Sequence, residues 1–250
     1  MRKREILFDF AIVLLSTAVI LSLMVSNVSA FETAGELKAK GDEAFFNGDF
    51  NDAIDYYTEA IEEDNGFADA YNARAWAYNV VGRYYDSIAD CDRALRLDPS
   101  LVYAYINRSW AKNGLGKFKE AISDCDEAIS LRPPLFLADA YVNRAWAKNG
   151  IGLFKEALLD CNRAIEIDPN IASAFTNRAW AMNGLGRFGE AISDCNRAIG
   201  IKPNYILSYS YFNRGWAYYE LGRHEEARED YRRACDLKNE LGCKLYDKLK

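Results

Sequence analysis

A repeat of 34 to 36 residues runs through most of this 250-residue chain and limits what the chain can fold into. Its clearest marker is a series of five tryptophans, which are separated by 34, 36, 34 and 36 residues. Cysteines recur with the same step from Cys91 to Cys195, and prolines from Pro99 to Pro203. Three residue types in phase over this distance indicate consecutive copies of one unit, which stack because a single copy cannot bury its apolar face.

Each unit has the pattern of two helices. In the fourth unit, Tyr141–Gly150 form a short amphipathic segment, and Gly152 ends it. Apolar side chains then recur at the i, i+3, i+4, i+7 spacing of a helix between residues 154 and 165. Pro169 stops this second segment, because proline cannot continue a helix.

This pattern resembles the tetratricopeptide repeat family, over residues 34 to 241. The family's Gly or Ala at position 8, Gly at 15, aromatic at 17, Ala at 20 and 27 and Pro at 32 recur here, with Ser109 at position 8 and Ser87 at position 20 as departures. Asn65 and Asn239 replace the proline in the first and last repeats, and His224 replaces the aromatic in the last. The resemblance implies repeats at residues 34–67, 68–101, 102–135, 138–171, 172–205 and 208–241.

An all-α fold follows from the resemblance, namely a right-handed α-α superhelix, or solenoid, of six tetratricopeptide repeats. We expect this domain to occupy residues 31–250, with a short C-terminal cap. Half of the residues are hydrophobic, which is enough for one continuous stacked core. The formal net charge is −6 and no basic stripe is present, so we expect no nucleic-acid partner.

Residues 1–30 have the three parts of a secretory signal peptide. Basic residues 2–4 precede a charge-free apolar run, and small residues ending at Ala30 offer a cleavage site. The alternative is an uncleaved anchor, because residues 6–28 are long enough to span a bilayer. Either segment would place the repeats outside the cytoplasm, in the secreted, periplasmic or cell-envelope space, with membrane contact only through an uncleaved N-terminus.

The chain has six cysteines, in two groups. The four at repeat position 24 lie on the apolar face of second helices, and equivalent positions in stacked helices lie beyond disulfide reach. We therefore expect Cys91, Cys125, Cys161 and Cys195 to be buried thiols.

The C-terminal ACDLKNELGC is similar to the cysteine spacing of secreted cysteine-rich helical-repeat proteins of bacteria. That resemblance implies a disulfide between Cys235 and Cys243, with Asn239–Gly242 as the turn; two unlinked thiols are the alternative.

Catalysis is not expected from this sequence. His224 is the single histidine, at a position normally filled by a core-facing aromatic, and we interpret it as a packing substitution. The sequence has no glycine-rich phosphate loop, metal-ligand cluster or nucleophile–base pair. We therefore expect no enzyme activity and no cofactor or metal.

A stripe of Asn, Trp and Asn at repeat positions 6, 9 and 12 is the candidate binding surface. In the tetratricopeptide family these positions of the first helix commonly face the concave groove. The resemblance thus implies a groove lined by Asn107, Trp110, Asn113, Asn143, Trp146, Asn149, Asn177, Trp180, Asn183, Asn213 and Trp216.

Carboxamides can pair with a peptide backbone without reading its sequence, since each offers a donor and an acceptor. The stripe therefore predicts an exported protein-protein interaction scaffold that binds extended peptide segments of other proteins. Trp and Asn also suit sugars, so a glycan-binding module of the cell envelope or surface is the alternative.

A packing role is the competing interpretation of the stripe. Each Trp could fill space left by the small Cys at position 24, and Asn at position 6 is frequent in the family. We expect the position-12 asparagines to be exposed in the groove, because four buried amides would each need hydrogen-bond partners.

Overall fold

A computed structural model of the chain describes residues 32–131, 135–201 and 206–249. The predicted signal peptide or anchor at residues 1–30 lies outside these described residues, as do Pro133 and Pro203. The described part of the chain contains thirteen α helices and no strand.

The helices form six consecutive pairs and a final single helix. The first helices of the pairs are α1 Ala34–Asn47, α3 Ala68–Val80, α5 Val102–Gly114, α7 Leu137–Gly150, α9 Ala172–Gly184 and α11 Leu207–Glu220. The second helices are α2 Phe50–Glu63, α4 Tyr84–Leu97, α6 Phe118–Ser130, α8 Phe154–Ile167, α10 Phe188–Ile201 and α12 His224–Asp236, and α13 Glu240–Lys248 follows them.

Glycine at position 15 makes the turn inside every pair. Gly152, for example, follows α7 with φ 79°. This left-handed conformation is strained for a residue with a Cβ atom and free of that strain for glycine. The same conformation recurs at Gly48, Gly82, Gly116, Gly152, Gly186 and Gly222.

Small residues let the two helices of each pair pack closely. The alanine at position 27 of the second helix has no solvent exposure in any of the six repeats. These residues are Ala60, Ala94, Ala128, Ala164, Ala198 and Ala234. The helical-repeat fold predicted from the sequence is confirmed, as an all-α solenoid of helix pairs.

Repeat positions 8 and 24 fit each other in volume. Where position 24 is tyrosine, position 8 is glycine, and a Cβ atom on Gly41 would lie 2.5 Å from the Tyr57 ring. Gly215 and Tyr231 repeat this arrangement in the last pair, with a separation of 3.0 Å. The four repeats with cysteine at position 24 instead have alanine or serine at position 8. The residue that responds to the small cysteine is therefore at position 8.

Contacts between repeats show which side of the array is concave. Consecutive first helices contact one another along the chain, whereas no two consecutive second helices make comparable contact within the described residues. Because the first helices are the more closely spaced set, they form the inner, concave wall of the superhelix.

The last helix is fastened to the array. Cys235 and Cys243 form a disulfide with a Cα–Cα distance of 4.5 Å, which joins the end of α12 to α13. The turn lies earlier than the expected Asn239–Gly242, because Asn239 is already the N-cap of α13 and accepts a hydrogen bond from the Gly242 amide. Lys238, with φ 64°, turns the chain before it.

The remaining four cysteines are free thiols that are fully buried, as expected. Burial raises their pKa values, to about 12 for Cys125, so these thiols are unreactive in the folded protein. No helix within the described ranges is long and apolar enough to cross a membrane.

Candidate functional site

The asparagines at position 12 are buried, and their expected exposure in the groove is wrong. Their solvent exposure is between 2% and 3%. Each side-chain amide donates a hydrogen bond of 2.8 to 2.9 Å to the main-chain carbonyl of position 6 in the following repeat. The donors are Asn79, Asn113, Asn149 and Asn183.

These bonds join one first helix to the next. Asn149 in α7, for example, donates to the Asn177 carbonyl in α9 at 2.8 Å. A buried amide N–H needs a partner, and the neighbouring backbone supplies it. The position-12 side chains therefore hold adjacent repeats together, and we call them the amide clamps.

Each amide clamp uses only one side of its carboxamide. The Oδ1 atoms of Asn79, Asn113, Asn149 and Asn183 are buried and accept no hydrogen bond from protein. An unpaired buried acceptor costs about 1–3 kcal/mol. The hydrogen bond that each clamp donates therefore has to offset the cost of its unpaired Oδ1 atom. Because the same bond joins consecutive first helices in four repeats, it keeps the distance between those helices constant.

The asparagines at position 6 bond in the opposite direction, toward the preceding repeat. Asn177 donates to the Val142 carbonyl at 3.2 Å, and Asn213 donates to the Thr176 carbonyl at 3.3 Å. Asn143 donates to Ser109 Oγ at 3.1 Å, and Asn107 donates to Asn72 Oδ1 at 2.9 Å. The donor groups of both asparagine series are thus directed at neighbouring repeats.

The tryptophans at position 9 lie between these two series on the helix surface. A helix turns about 100° per residue, so positions 6, 9 and 12 span about 120°. Position 6 faces the preceding first helix and position 12 faces the following one. Position 9 therefore points between them, the direction that a groove-facing side chain would take, while in the first repeat Asp42 at this position accepts a hydrogen bond from Tyr57 of the second helix α2 at 2.9 Å.

Burial agrees with this direction. Trp76 is 38% exposed, and the other four tryptophans are partly buried. Trp76 lies against Phe45 of the first repeat, with ring centroids 4.1 Å apart, and Trp216 donates from Nε1 to Glu220 at 3.3 Å.

Packing around the small cysteines is achieved by other residues. The apolar side chains packed with Cys161 are Ala145, Ala157, Ala181, Phe154 and Leu158. None of these is tryptophan, and the position-8 residue Ala145 is among them. This environment favours the groove interpretation of the tryptophans over the interpretation that they compensate for cysteine.

Positions 2 and 13 share the direction of position 9 on the helix, since all three fall within about 40° of one another. We call positions 2, 9 and 13 of the first helices the groove stripe. Its exposed aromatic and aliphatic residues besides tryptophan are Phe46, Val80, Tyr103 and Tyr209. Position 13 is the edge of the stripe on the side of the preceding repeat, because its glycines lie against an aromatic ring of the preceding second helix, as Gly150 does against Phe118.

Charge in the groove stripe is of one sign. Its charged residues are Asp42, Asp69, Asp139 and Glu220, and none of its positions carries lysine or arginine. Burial raises the pKa of Asp139. Asp42 is neutralised by Lys38 at 2.8 Å. The stripe is thus aromatic and mildly acidic.

An arginine–aspartate ladder, which the sequence analysis missed, runs beside the groove stripe. The guanidinium of Arg144 in α7 forms two hydrogen bonds with Asp160 in α8, and a third with Asp126 of the preceding repeat. Although burial alone would lower the pKa of Arg144, its carboxylate partners raise it. The ladder consists of Arg74–Asp90, Arg108–Asp124, Arg144–Asp160, Arg178–Asp194 and Arg214–Asp230.

The ladder connects helices both within and between repeats. Each arginine at position 7 also reaches position 25 of the preceding repeat, as Arg178 does with Asn162 at 2.8 Å. Lys148 adds a second cation to Asp160 at 2.6 Å. The guanidinium carbons lie 5.3 to 5.8 Å from the aromatic ring at position 4. Because the charges of the ladder's arginines and aspartates are paired with one another, we assign these side chains to holding the helices together.

The sequence did contain a signal for the ladder. The Asn-Arg dipeptide at positions 6 and 7 and an aspartate at position 23 recur together at a spacing of 16 residues. The side chain at position 7 is mostly buried, with Arg144 18% exposed, so an arginine there requires a fixed counter-charge.

A cleft of about 480 Å³, lined by apolar side chains together with Asp139, Asp168 and Asn170, lies where the third, fourth and fifth repeats meet. It is lined by Phe136, Ile167 and Ile201, and Phe136 packs edge-on against Tyr103 at 4.6 Å. Phe136 has φ 63°, an unusual conformation for a residue with a side chain.

His224 is exposed at the start of α12, where its ring lies edge-on to Tyr219 at 5.2 Å. It does not occupy the core position that the sequence suggested. Among the described residues no group of His, Cys, Asp and Glu is arranged to hold a metal ion.

Consecutive helix pairs with a glycine turn inside each pair define the class of this molecule as a tetratricopeptide repeat protein. A sequence model of the ETO1 C-terminal domain matches residues 37–183, and a tetratricopeptide repeat model matches residues 170–240. The first match covers more than half of the chain. The chain therefore belongs to the ETO1 C-terminal domain family, and its repeats are tetratricopeptide repeats.

Curated relatives match short parts of the chain. Tetratricopeptide repeat protein 12 of Mus musculus is 39% identical over 61 residues, which are 24% of this chain and 9% of that protein. The Protein SGT1 homolog of Oryza sativa subsp. japonica is 37% identical over 65 residues, which are 26% of this chain and 18% of that protein. The chain thus spans less than a fifth of these relatives.

Solved structures match over most of the chain. A tetratricopeptide repeat protein from Parabacteroides merdae has a TM-score of 0.70 and 19% identity, covering 91% of this chain and 88% of that one. PilW, described as a type IV pilus biogenesis factor, has a TM-score of 0.68 and 18% identity, covering 80% and 91%. These similarities establish the fold.

Proposed function

We propose that this protein is a non-catalytic, exported interaction scaffold that holds extended segments of other proteins in its concave groove. The observation that carries the proposal is the ladder of partly exposed tryptophans on the inner wall. Large aromatic side chains left in contact with water, in phase on one face of a repeat array, are typical of binding surfaces.

The binding surface differs in one respect from the sequence-based prediction. The side-chain amides at positions 6 and 12 both donate to neighbouring repeats, so they do not offer hydrogen-bond donors to a ligand in the groove. Their contribution is to fix the spacing of the first helices, and hence the spacing of the indole rings. The groove stripe supplies the contact surface.

Export is supported by two features of the chain. Residues 1–30 have the pattern of a signal peptide or anchor. The disulfide between Cys235 and Cys243 is of a kind that persists in oxidising compartments. N-terminal sequencing of the protein recovered outside the cytoplasm distinguishes the two N-terminal states, because cleavage yields Phe31 as the first residue and an anchor leaves Met1.

Binding is tested with peptide and glycan arrays probed with the full chain. The expected result is retention on peptide spots that is lost in the variant Trp110→Leu with Trp146→Leu. Leu159→Ala is the matched control, because Leu159 is a 69% exposed apolar residue on the outer helix α8. Peptide binding that survives the double substitution would contradict the groove site.

Glycan binding is the second candidate, because partly exposed indole rings also suit the apolar faces of sugars. Retention on glycan spots alone, with the same dependence on Trp110 and Trp146, would replace the peptide function by this one. Circular dichroism of each variant verifies that the helical array is intact.

A further inference from the structure

The spacing of the tryptophans restricts what the groove can hold, if the proposed peptide-binding function is correct. Packed helices lie about 8–10 Å apart, so consecutive indoles on adjacent first helices recur at about that interval. An extended β-strand presents a side chain to the same face every two residues, or about 6.6 Å. A polyproline II helix does so every three residues, or about 9.3 Å. The second spacing matches the array.

Hydrogen bonding leads to the same class of ligand. A β-strand ligand needs donors and acceptors for its backbone, as in peptides that are added to a sheet edge. The asparagine donors of this groove are already used between repeats. A polyproline II segment has a backbone solvated by water, and proline has no N–H group to satisfy. Aromatic grooves bind such segments through ring contacts.

Charge complementarity specifies the ligand further. The groove stripe carries carboxylates at Asp69, Asp139 and Glu220 and no basic residue. Indole faces are also electron-rich and attract Lys and Arg side chains. Nearby cations do not offset this field, because Lys148 is paired with Asp160 and Arg187 with Glu190.

We propose that the groove stripe binds a proline-rich segment in the polyproline II conformation that carries Lys or Arg and no acidic residue. Prolines stack on consecutive tryptophans of adjacent repeats, and the basic side chains lie between the indole faces and the carboxylates. Three central repeats, with Trp110, Trp146 and Trp180, would accommodate about seven to nine residues of such a segment at three residues per repeat.

Three synthetic peptides test the proposal by titration into the full chain, followed by tryptophan fluorescence: (Pro-Pro-Lys)5, (Pro-Pro-Glu)5 and (Gly-Ser-Lys)5. We expect (Pro-Pro-Lys)5 to bind at least about tenfold more tightly than either of the others. The glycine-serine peptide has the same charge without the conformation, and the glutamate peptide has the conformation with the opposite charge.

Variants locate the site. Trp110→Leu with Trp146→Leu should weaken binding of (Pro-Pro-Lys)5 at least about tenfold, and Asp139→Asn at least about threefold. Leu159→Ala should leave it unchanged. Because truncating tryptophan can unfold a repeat, the milder pair Trp110→Phe with Trp146→Phe is measured as well, and it should weaken binding in the same direction with an unchanged circular dichroism spectrum.

The results separate this inference from the function on which it rests. Equal affinity for (Pro-Pro-Lys)5 and (Gly-Ser-Lys)5 would overturn the conformational requirement. If the proline peptides fail while other array peptides bind in a Trp110- and Trp146-dependent way, the inference is wrong and the scaffold function stands. If no peptide binds, both are wrong.

Discussion

Removing two amide clamps should destabilise the repeat array, and the double substitution Asn113→Ala with Asn149→Ala measures it. Each substitution deletes a buried hydrogen bond of 2.8 to 2.9 Å to the next first helix. A hydrogen bond contributes about 0.5–1.5 kcal/mol net, and a cavity adds to its loss. Removing the unpaired Oδ1 offsets part of that. We expect about 1–2 kcal/mol per clamp, or about 2–4 kcal/mol for both.

Urea unfolding followed by circular dichroism is the assay, with Asn47→Ala and Asn170→Ala as the matched control. Both control residues are exposed asparagines, so the pair should change the free energy of unfolding by no more than about 1 kcal/mol. If the clamp variant were as stable as this control, the buried amides would contribute nothing to stacking.

Four further outcomes follow from the packing and the ion pairs. Asn149→Asp places a buried carboxylate against the Asn177 carbonyl, and burial raises the pKa of that carboxylate. The loss of stability relative to wild type should therefore be largest near neutral pH and should shrink as the pH falls and the acid is protonated. Unfolding measured as a function of pH checks this. Cys161→Tyr should cost about 1–3 kcal/mol by overpacking, and adding Ala145→Gly should recover at least half of this in thermal unfolding, because glycine accompanies tyrosine in the first and last repeats. Arg144→Ala should cost about 1.5–3 kcal/mol, the range for hydrogen bonds to a charged group, because Lys148 still pairs with the nearly buried Asp160, and Asp126→Ala should cost less than about 1 kcal/mol in urea unfolding, because Asp126 is exposed. Alkylation of the exported protein should label four cysteines in denaturant and none when folded, and six labelled in denaturant would refute the disulfide.

The fold could be predicted because a repeated local pattern specifies it. Glycine at position 15 and alanine at position 27 have the same role in all six repeats, and alanine at position 20 and the aromatic at position 17 have it in five of the six, with Ser87 and His224 as the exceptions. Each role depends on neighbours close in sequence or one repeat away. The same holds for the buried thiols, since position 24 lies on the apolar face of a helix with a strong amphipathic period.

The environment of the asparagines could not be predicted in the same way. Asn149 is buried because α9 approaches α7 closely enough for its backbone carbonyl to accept the amide. The distance between α7 and α9 is set by the stacking of repeats in the superhelix. A helical wheel of one repeat therefore cannot predict it. The wheel places positions 6, 9 and 12 on one arc, but positions 6 and 12 point at neighbouring helices, which leaves position 9 alone for the proposed groove.

The relation between positions 8 and 24 is present in the sequence, but the sequence equally allows the small cysteine at position 24 to be matched by tryptophan at position 9. Cysteine at position 24 coincides with tryptophan at position 9 in four repeats, and it coincides equally with alanine or serine at position 8. Trp216 beside Tyr231 in the last repeat distinguishes the two, because Gly215 is the residue that changes there. The distance from Gly41 to the Tyr57 ring gives the physical reason, because a Cβ atom at position 8 would collide with a tyrosine at position 24.

The indole N–H resonances of ¹⁵N-labelled protein show whether the tryptophans at position 9 form the proposed binding surface. The protein has five tryptophans, so five signals report on five repeats. On titration with the peptide that the arrays retain most strongly, the signals of Trp110, Trp146 and Trp180 should shift together with one dissociation constant. Binding of that peptide with all five indole signals unmoved would place the ligand elsewhere and contradict the proposal.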